Sequence, residues 1–156
     1  MEFMKSRMDS KMLTKLFTYL KHEQQLLQEL VSLAEKQQKA LVRINAAELE
    51  KIAAVQEEIT QTMRNAEEYR LKLIMTTFDI SRREAIKMNL SSIGSCLESE
   101  ERKALFVLRD SIRLLVSRLQ LLNKSNRALA LRAKNYVREA LGMLTNGTNQ
   151  VCNVKV

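Results

Sequence analysis

Apolar residues recur along this chain at alternating intervals of three and four, the spacing that lines one face of an α-helix. The longest run starts at Leu105 and passes through Leu108, Ile112, Leu115, Leu119, Leu122, Asn126, Leu129, Ala133, Tyr136, Ala140 and Met143, with Asn126 the polar exception. It predicts a helix of roughly 60 Å at 1.5 Å per residue. A helix that long outruns a compact domain, so other long helices must lie along it. Val107, Leu114, Leu121 and Ala128 form a second apolar stripe beside the first. That extra width implies two neighbouring helices rather than one.

The same spacing opens the chain, from about Ser10 to Ile44, through Leu13, Leu16, Leu20, Glu23, Leu27, Leu30, Ala34, Gln37 and Leu41. Glu23 and Gln37 fall on the seam, where polar groups fix register or face a wet groove. Asn45 with Glu48 three residues later is a capping-box-like start for a second helix, from Ala46 to about Thr76. That helix carries Leu49, Ile52, Gln56, Ile59, Met63, Ala66, Arg70 and Leu73. So short a reversal predicts antiparallel pairing, with one helix running unbroken through Asn45 as the rival. Ser81 and Glu84 signal another cap, for a short apolar helix, EAIKMNLSSI, ending at Gly94, whose freedom at positive φ suits a helix stop. Ser99 with Glu100 and Glu101 then opens the third long helix, expected to end at Asn146 and Gly147. The fold class is all-α: an elongated antiparallel helical bundle of three long helices with a short crossover helix. The bundle forms one domain over residues 10–147, between a flexible N-terminus (1–9) and a flexible C-terminal tail (148–156).

Composition agrees, since the 156 residues include no Pro and only three Gly, which leaves little for hairpin turns or phosphate loops. Cys96 and Cys152 are not at metal-ligand spacing, so a reducing compartment is expected rather than a disulfide framework. The start lacks a secretory signal and no run approaches the roughly 18 apolar residues of a membrane span. A cytoplasmic protein without membrane insertion follows. Catalysis finds no assembled groups: His22 and Glu23 are adjacent and face different sides of a helix, as do Glu57 with Glu58 and Glu67 with Glu68. A single histidine also cannot supply the paired Glu-x-x-His motifs of a di-iron bundle. No enzyme activity, metal or cofactor is expected.

The net charge of +8 sits mainly on the third long helix, where ten Lys and Arg face four Asp and Glu between Glu100 and Glu139. Such a surplus attracts phosphate backbones. Against this, the second helix has six acidic residues to four basic ones between Glu48 and Lys72. The third helix's basic residues also ring its polar side without interleaved aromatic stacking platforms. A basic helical nucleic-acid-associated or homodimeric adaptor is therefore the second reading.

Two stretches, QKALVRINAAELEKIAAVQEEI and LQLLNKSNRALALRAKNYVREALGML, carry a family resemblance. The first places Ala40, Leu41, Leu49 and Ile52 around an Asn-containing reversal, followed by Gln56 and Glu57; the second holds a Leu, two Asn three apart and a Leu, here Leu122, Asn123, Asn126 and Leu129. In this combination and order the chain resembles the FlgN family of flagellar type III export chaperones, over about residues 10 to 147. The resemblance implies an all-helical cytosolic chaperone that binds the C-terminal helical segments of hook-filament junction proteins (FlgK/FlgL-like) and delivers them to the flagellar export apparatus. It places partner contacts on the C-terminal helix, with Leu115, Leu119, Leu122, Asn123, Asn126, Leu129, Ala133, Tyr136 and Met143 as the candidates. Family members that carry a Tyr in the following tail differ from this chain, in which none follows Tyr136. Leu122, Asn126 and Leu129 read equally well as an internal seam with Asn126 setting register. A C-terminal half left unpacked would let that seam pair two copies or open for a client.

Overall fold

Each expected helix boundary is a question about where four free N–H groups and four free C=O groups find partners. In the computed structural model, which describes residues 8–152 and side chains through Asn146, the caps answer most of them. Helix α1 (Ser10–Arg43) is capped by Asp9, whose carboxylate accepts from Met12 N at 2.8 Å. It ends at Ile44, which takes the left-handed conformation (φ 53°) and returns its N–H to Ala40 and Leu41 carbonyls. Asn45 Oδ1 then accepts from Glu48 N at 3.2 Å and starts α2 (Ala46–Phe78). The chain thus reverses within Ile44 and Asn45, which rules out the unbroken helix. Helix α2 outlasts its expected end near Thr76 and stops at Asp79, again left-handed at φ 53°.

The crossover corrects two expectations. It is two short helices, α3 (Arg82–Lys87) and α4 (Leu90–Gly94), rather than one. Ser81 and Glu84 form a full capping box at α3, but Asn89 interrupts the run by accepting from Ser92 N at 2.8 Å, which caps a fresh helix. Gly94 does not sit at positive φ. It is required for space instead, because a Cβ there would lie 2.4 Å from Phe106 Cε1. Arg102 donates to Gly94 O at 2.9 Å, the last carbonyl of α4, and to Leu97 O at 3.0 Å in the connection that follows.

Helix α5 (Ser99–Cys152) starts with Glu100 and Glu101 in its first turn, as the dipole favours. It does not stop at Asn146 and Gly147, since one Gly costs a helix interior only about 1 kcal/mol and no Pro follows. The expectations for residues 1–7 and 153–156 lie outside the described residues; Met8 packs against the core and Asp9 is the cap just described.

The main core lies where α1 begins, α2 ends and the crossover passes: Leu13, Leu16, Leu20, Ile74, Phe78, Ala85, Ile93, Leu97, Leu105 and Leu108. A second cluster, Leu26, Leu30, Ile59 and Ala66 with Leu119 packed against it, continues it along the helices. The described residues are helical throughout apart from the short connections, so the fold is all-α.

Candidate partner-binding site on the long helix

Polar positions on the apolar seams fix how the long helices are aligned. Glu23 and Gln37 stand two heptads apart on α1, and Gln56 and Arg70 stand two heptads apart on α2. They meet in antiparallel order: Arg70 Nε donates to Glu23 Oε1 at 2.7 Å and Gln56 Nε2 to Gln37 Oε1 at 3.5 Å. Burial raises the Glu23 carboxyl above the usual carboxylate value, with the Arg70 guanidinium acting against that rise.

Helix α5 is tied to α1 by a second ladder. Gln24 donates to Ser111 at 2.7 Å and Gln38 to Ser125 at 3.0 Å, both across a separation of 87 residues. Arg118 pairs with Glu35 between these rungs. An equal separation at both rungs means that α5 runs parallel to α1. Helix α1 is therefore the element on which both others pack, α2 antiparallel to it and α5 parallel. Asn126 completes the polar layer: its Nδ2 donates to Ala34 O at 2.9 Å and to Gln37 Oε1 at 3.0 Å.

That register decides what α5 leaves uncovered. An 87-residue separation sets Arg43, the last residue of α1, level with residue 130. Helix α5 continues to Cys152, about 22 residues and roughly 33 Å further at 1.5 Å per residue. Along this overhang Tyr136 is 65% exposed and Met143 75%, with Leu131, Val137 and Leu141 also open to solvent. Arg132, Lys134 and Arg138 accompany them, against Glu139.

The nine residues singled out from the sequence divide at the same level. Leu115, Leu119, Leu122 and Leu129 are half-buried and Asn126 is buried, all on the part of α5 that α1 accompanies. Asn123 is exposed beside Asn126. Ala133 is half-buried, and Tyr136 and Met143 are exposed on the overhang. The second stripe corrects the expectation of two neighbours covering it, because Val107, Leu114 and Leu121 all remain exposed. Helix α5 leans chiefly on α1, which leaves that flank open.

Sequence reasoning placed the basic residues of α5 on a solvated face and so missed three of them. Arg102 caps α4, Arg118 pairs with α1, and Arg109 donates to Ser91 Oγ at 2.9 Å with its guanidinium 4.2 Å from the Phe106 ring centre. The matching two-heptad spacings of Gln24 with Gln38 and Ser111 with Ser125 were the available signal for the α1–α5 register. Among the described residues no cluster of three His, Cys, Asp or Glu could hold a metal, and no helix is long and apolar enough to cross a membrane.

The family model described as FlgN protein matches residues 8–154. The chain belongs to the FlgN family. At the level of that family it is a flagellar export chaperone, and binding of flagellar export substrates is what FlgN membership implies. The match spans all five helices, so the α1–α2 hairpin and the overhang of α5 are both parts of a FlgN chain. Comparison with curated proteins and with solved structures gives no match.

Proposed function

We propose that this chain is a cytoplasmic chaperone that binds the C-terminal helical segments of hook-filament junction proteins of the FlgK and FlgL kind, shields them before assembly, and hands them to the flagellar export apparatus. One observation carries the reading: an apolar, basic-flanked helix projects about 33 Å beyond its own neighbours, with Tyr136 and Met143 exposed. An unpolymerised junction protein presents amphipathic helical segments that need the same kind of cover, and laying one apolar helix face against another buries both. The chemistry is shielding by contact, with no bond made or broken. In this reading the three long helices act as one elongated bundle around α1, which serves as a handle, and α5 beyond residue 130 is the client arm. Leu122, Asn123, Asn126 and Leu129 stand at the base of that arm. Ala133, Tyr136 and Met143 lie along it, and Leu115 and Leu119 anchor it to the handle.

Co-elution of the purified chain with a FlgK-like or FlgL-like client tests the proposal. The unmodified chain is expected to form a stable complex. A Tyr136→Asp, Met143→Asp variant is expected to keep its helical signal and melting behaviour, since both side chains are exposed, while losing at least about tenfold in client affinity, or about 1.4 kcal/mol. Client affinity unchanged in that variant would move the site off the overhang, and no complex with either client would overturn the function.

A further inference from the structure

The flank that α5 leaves open carries a groove along its junction with α1. Gln24 with Ser111 and Gln38 with Ser125 bridge the two helices at levels two heptads apart, about 21 Å along the axis. A cavity borders each bridge. One of about 580 Å³ reaches Phe17, Lys21 and Val107, and one of about 470 Å³ reaches Lys39, Val42, Arg43 and Leu129. Between them the α5 wall stays apolar, because Leu114 and Leu121 follow Val107 at intervals of seven and so keep to its side of the helix. Val107 is 71% exposed, Leu114 73% and Leu121 70%, a row of large apolar side chains rather than scattered single ones. From Val107 to Leu129 the groove runs roughly 33 Å, the length of a helix of about 22 residues.

The free charges beside this groove are mostly of one sign. Lys21, Lys39 and Arg43 on α1, and Lys124 three residues beyond Leu121 on α5, form no ion pair among the described residues. The nearby carboxylates are engaged or terminal: Arg118 holds Glu35, Arg109 holds Asp110, and Glu101 stands past the Phe17 end. A second copy laid stripe to stripe would bring the basic surplus of α5 against its own kind, which costs affinity. An acidic helix meets the same cations with opposite charge.

We propose that the groove between α1 and α5 is a second docking surface, for an acidic amphipathic helix of a partner protein. That helix seats apolar side chains, repeating every seven residues, against Val107, Leu114 and Leu121. Its flanking carboxylates face Lys21, Lys39, Arg43 and Lys124. The surface lies beside the paired part of α5 and stops short of the overhang. The inference therefore goes beyond the client reading and lets the chain hold two guest helices at once.

The test uses the full chain and two synthetic, fluorescently labelled helices of about 21 residues, each with Leu at the first and fourth positions of every heptad. One carries Glu beside the Leu row and the other carries Lys. By fluorescence anisotropy the Glu helix is expected to bind the unmodified chain at least about tenfold more tightly than the Lys helix. A Leu114→Asp, Leu121→Asp variant is expected to keep its helical signal, since both side chains are exposed, and to bind the Glu helix at least about tenfold more weakly. Tyr136→Asp, Met143→Asp makes the same change of charge on the overhang and is expected to alter binding less than about twofold. Equal losses in the two variants, no loss in either, or equal binding of the Lys helix would overturn the proposal. So would a dimer of the unmodified chain, seen by sedimentation, that Leu114→Asp, Leu121→Asp dissociates, because the stripe would then belong to a second copy. Client binding is read by the overhang variant, so either surface can fail without the other.

Discussion

Glu23 shows how a single polar residue on an apolar seam can set alignment and still be costly to ionise. Its carboxylate meets Arg70 at 2.7 Å, yet burial outweighs that attraction and holds its pKa above the usual value. The folded chain therefore binds this proton more tightly than the unfolded chain does. The resulting stabilisation is complete below the ordinary carboxylate value and fades as the pH rises through the raised one. Stability measured by urea unfolding for the unmodified chain, relative to Glu23→Gln, is expected to increase as the pH falls from about 7 towards about 4.5. A gap that stays flat across that window would show that Glu23 is not held in its raised state. Glu84 responds in the opposite sense: hydrogen bonds from the Ser81 backbone N–H and hydroxyl lower its pKa, so the stability it contributes to the α3 cap is lost on acidification. The proteins compared in the Glu23 experiment share that capping box, so its effect cancels from their difference. Residue roles were the least legible part of the sequence. Gly94 carries the ordinary signal of a helix stop, but its use depends on Phe106, which reaches it only after α5 has folded back. Ile44 is a β-branched residue in a left-handed cap, a place that local preference reserves for Gly or Asn.

At the scale of elements, the long helices were legible because three-and-four periodicity sustained over many turns has one explanation, and Asn45 marks the start of α2 chemically. Where α5 would lose its companions was not legible. That level depends on the α1–α5 register, and the register rests on pairs such as Gln38 with Ser125 that join distant parts of the chain. Hence the apolar surface, and the case of a C-terminal half left unpacked, were open to sequence reasoning, whereas the level at which the seam ends and the open arm begins, just beyond Leu129, was not. Removing residues 131 onward tests that division. The shortened chain is expected to lose the helical signal of about 22 residues while its unfolding free energy changes by no more than about 0.5 kcal/mol, the range of surface changes that touch no packed feature. A markedly lower melting temperature would mean that the arm packs on the rest of the molecule.

Over the whole molecule, charge and apolar surface coincide on α5, and they should act on different stages of binding. Arg132, Lys134 and Arg138 line the arm, and a positive field speeds the approach of an acidic partner while contributing less to the lifetime of the complex. Raising salt from about 0.05 M to about 0.5 M, which shortens the screening length severalfold, is therefore expected to slow association with the client at least about tenfold while changing dissociation little. Stopped-flow binding at several salt concentrations reads both rates. Generic duplex or RNA is the contrasting probe. Tight binding at physiological ionic strength with a steep linear fall in log affinity against log salt would favour the nucleic-acid reading instead.

In the proposed client-binding reading, the turn at Ile44 and Asn45 also works as an abutment. A guest rod lying along the free reach of α5 meets that tip end-on, so the span it can occupy is fixed by the unequal lengths of the host's own rods and not by the guest's composition. Shortening the α1–α2 pair by one heptad at its tip would lengthen the berth by about 10.5 Å, which makes this step a ruler.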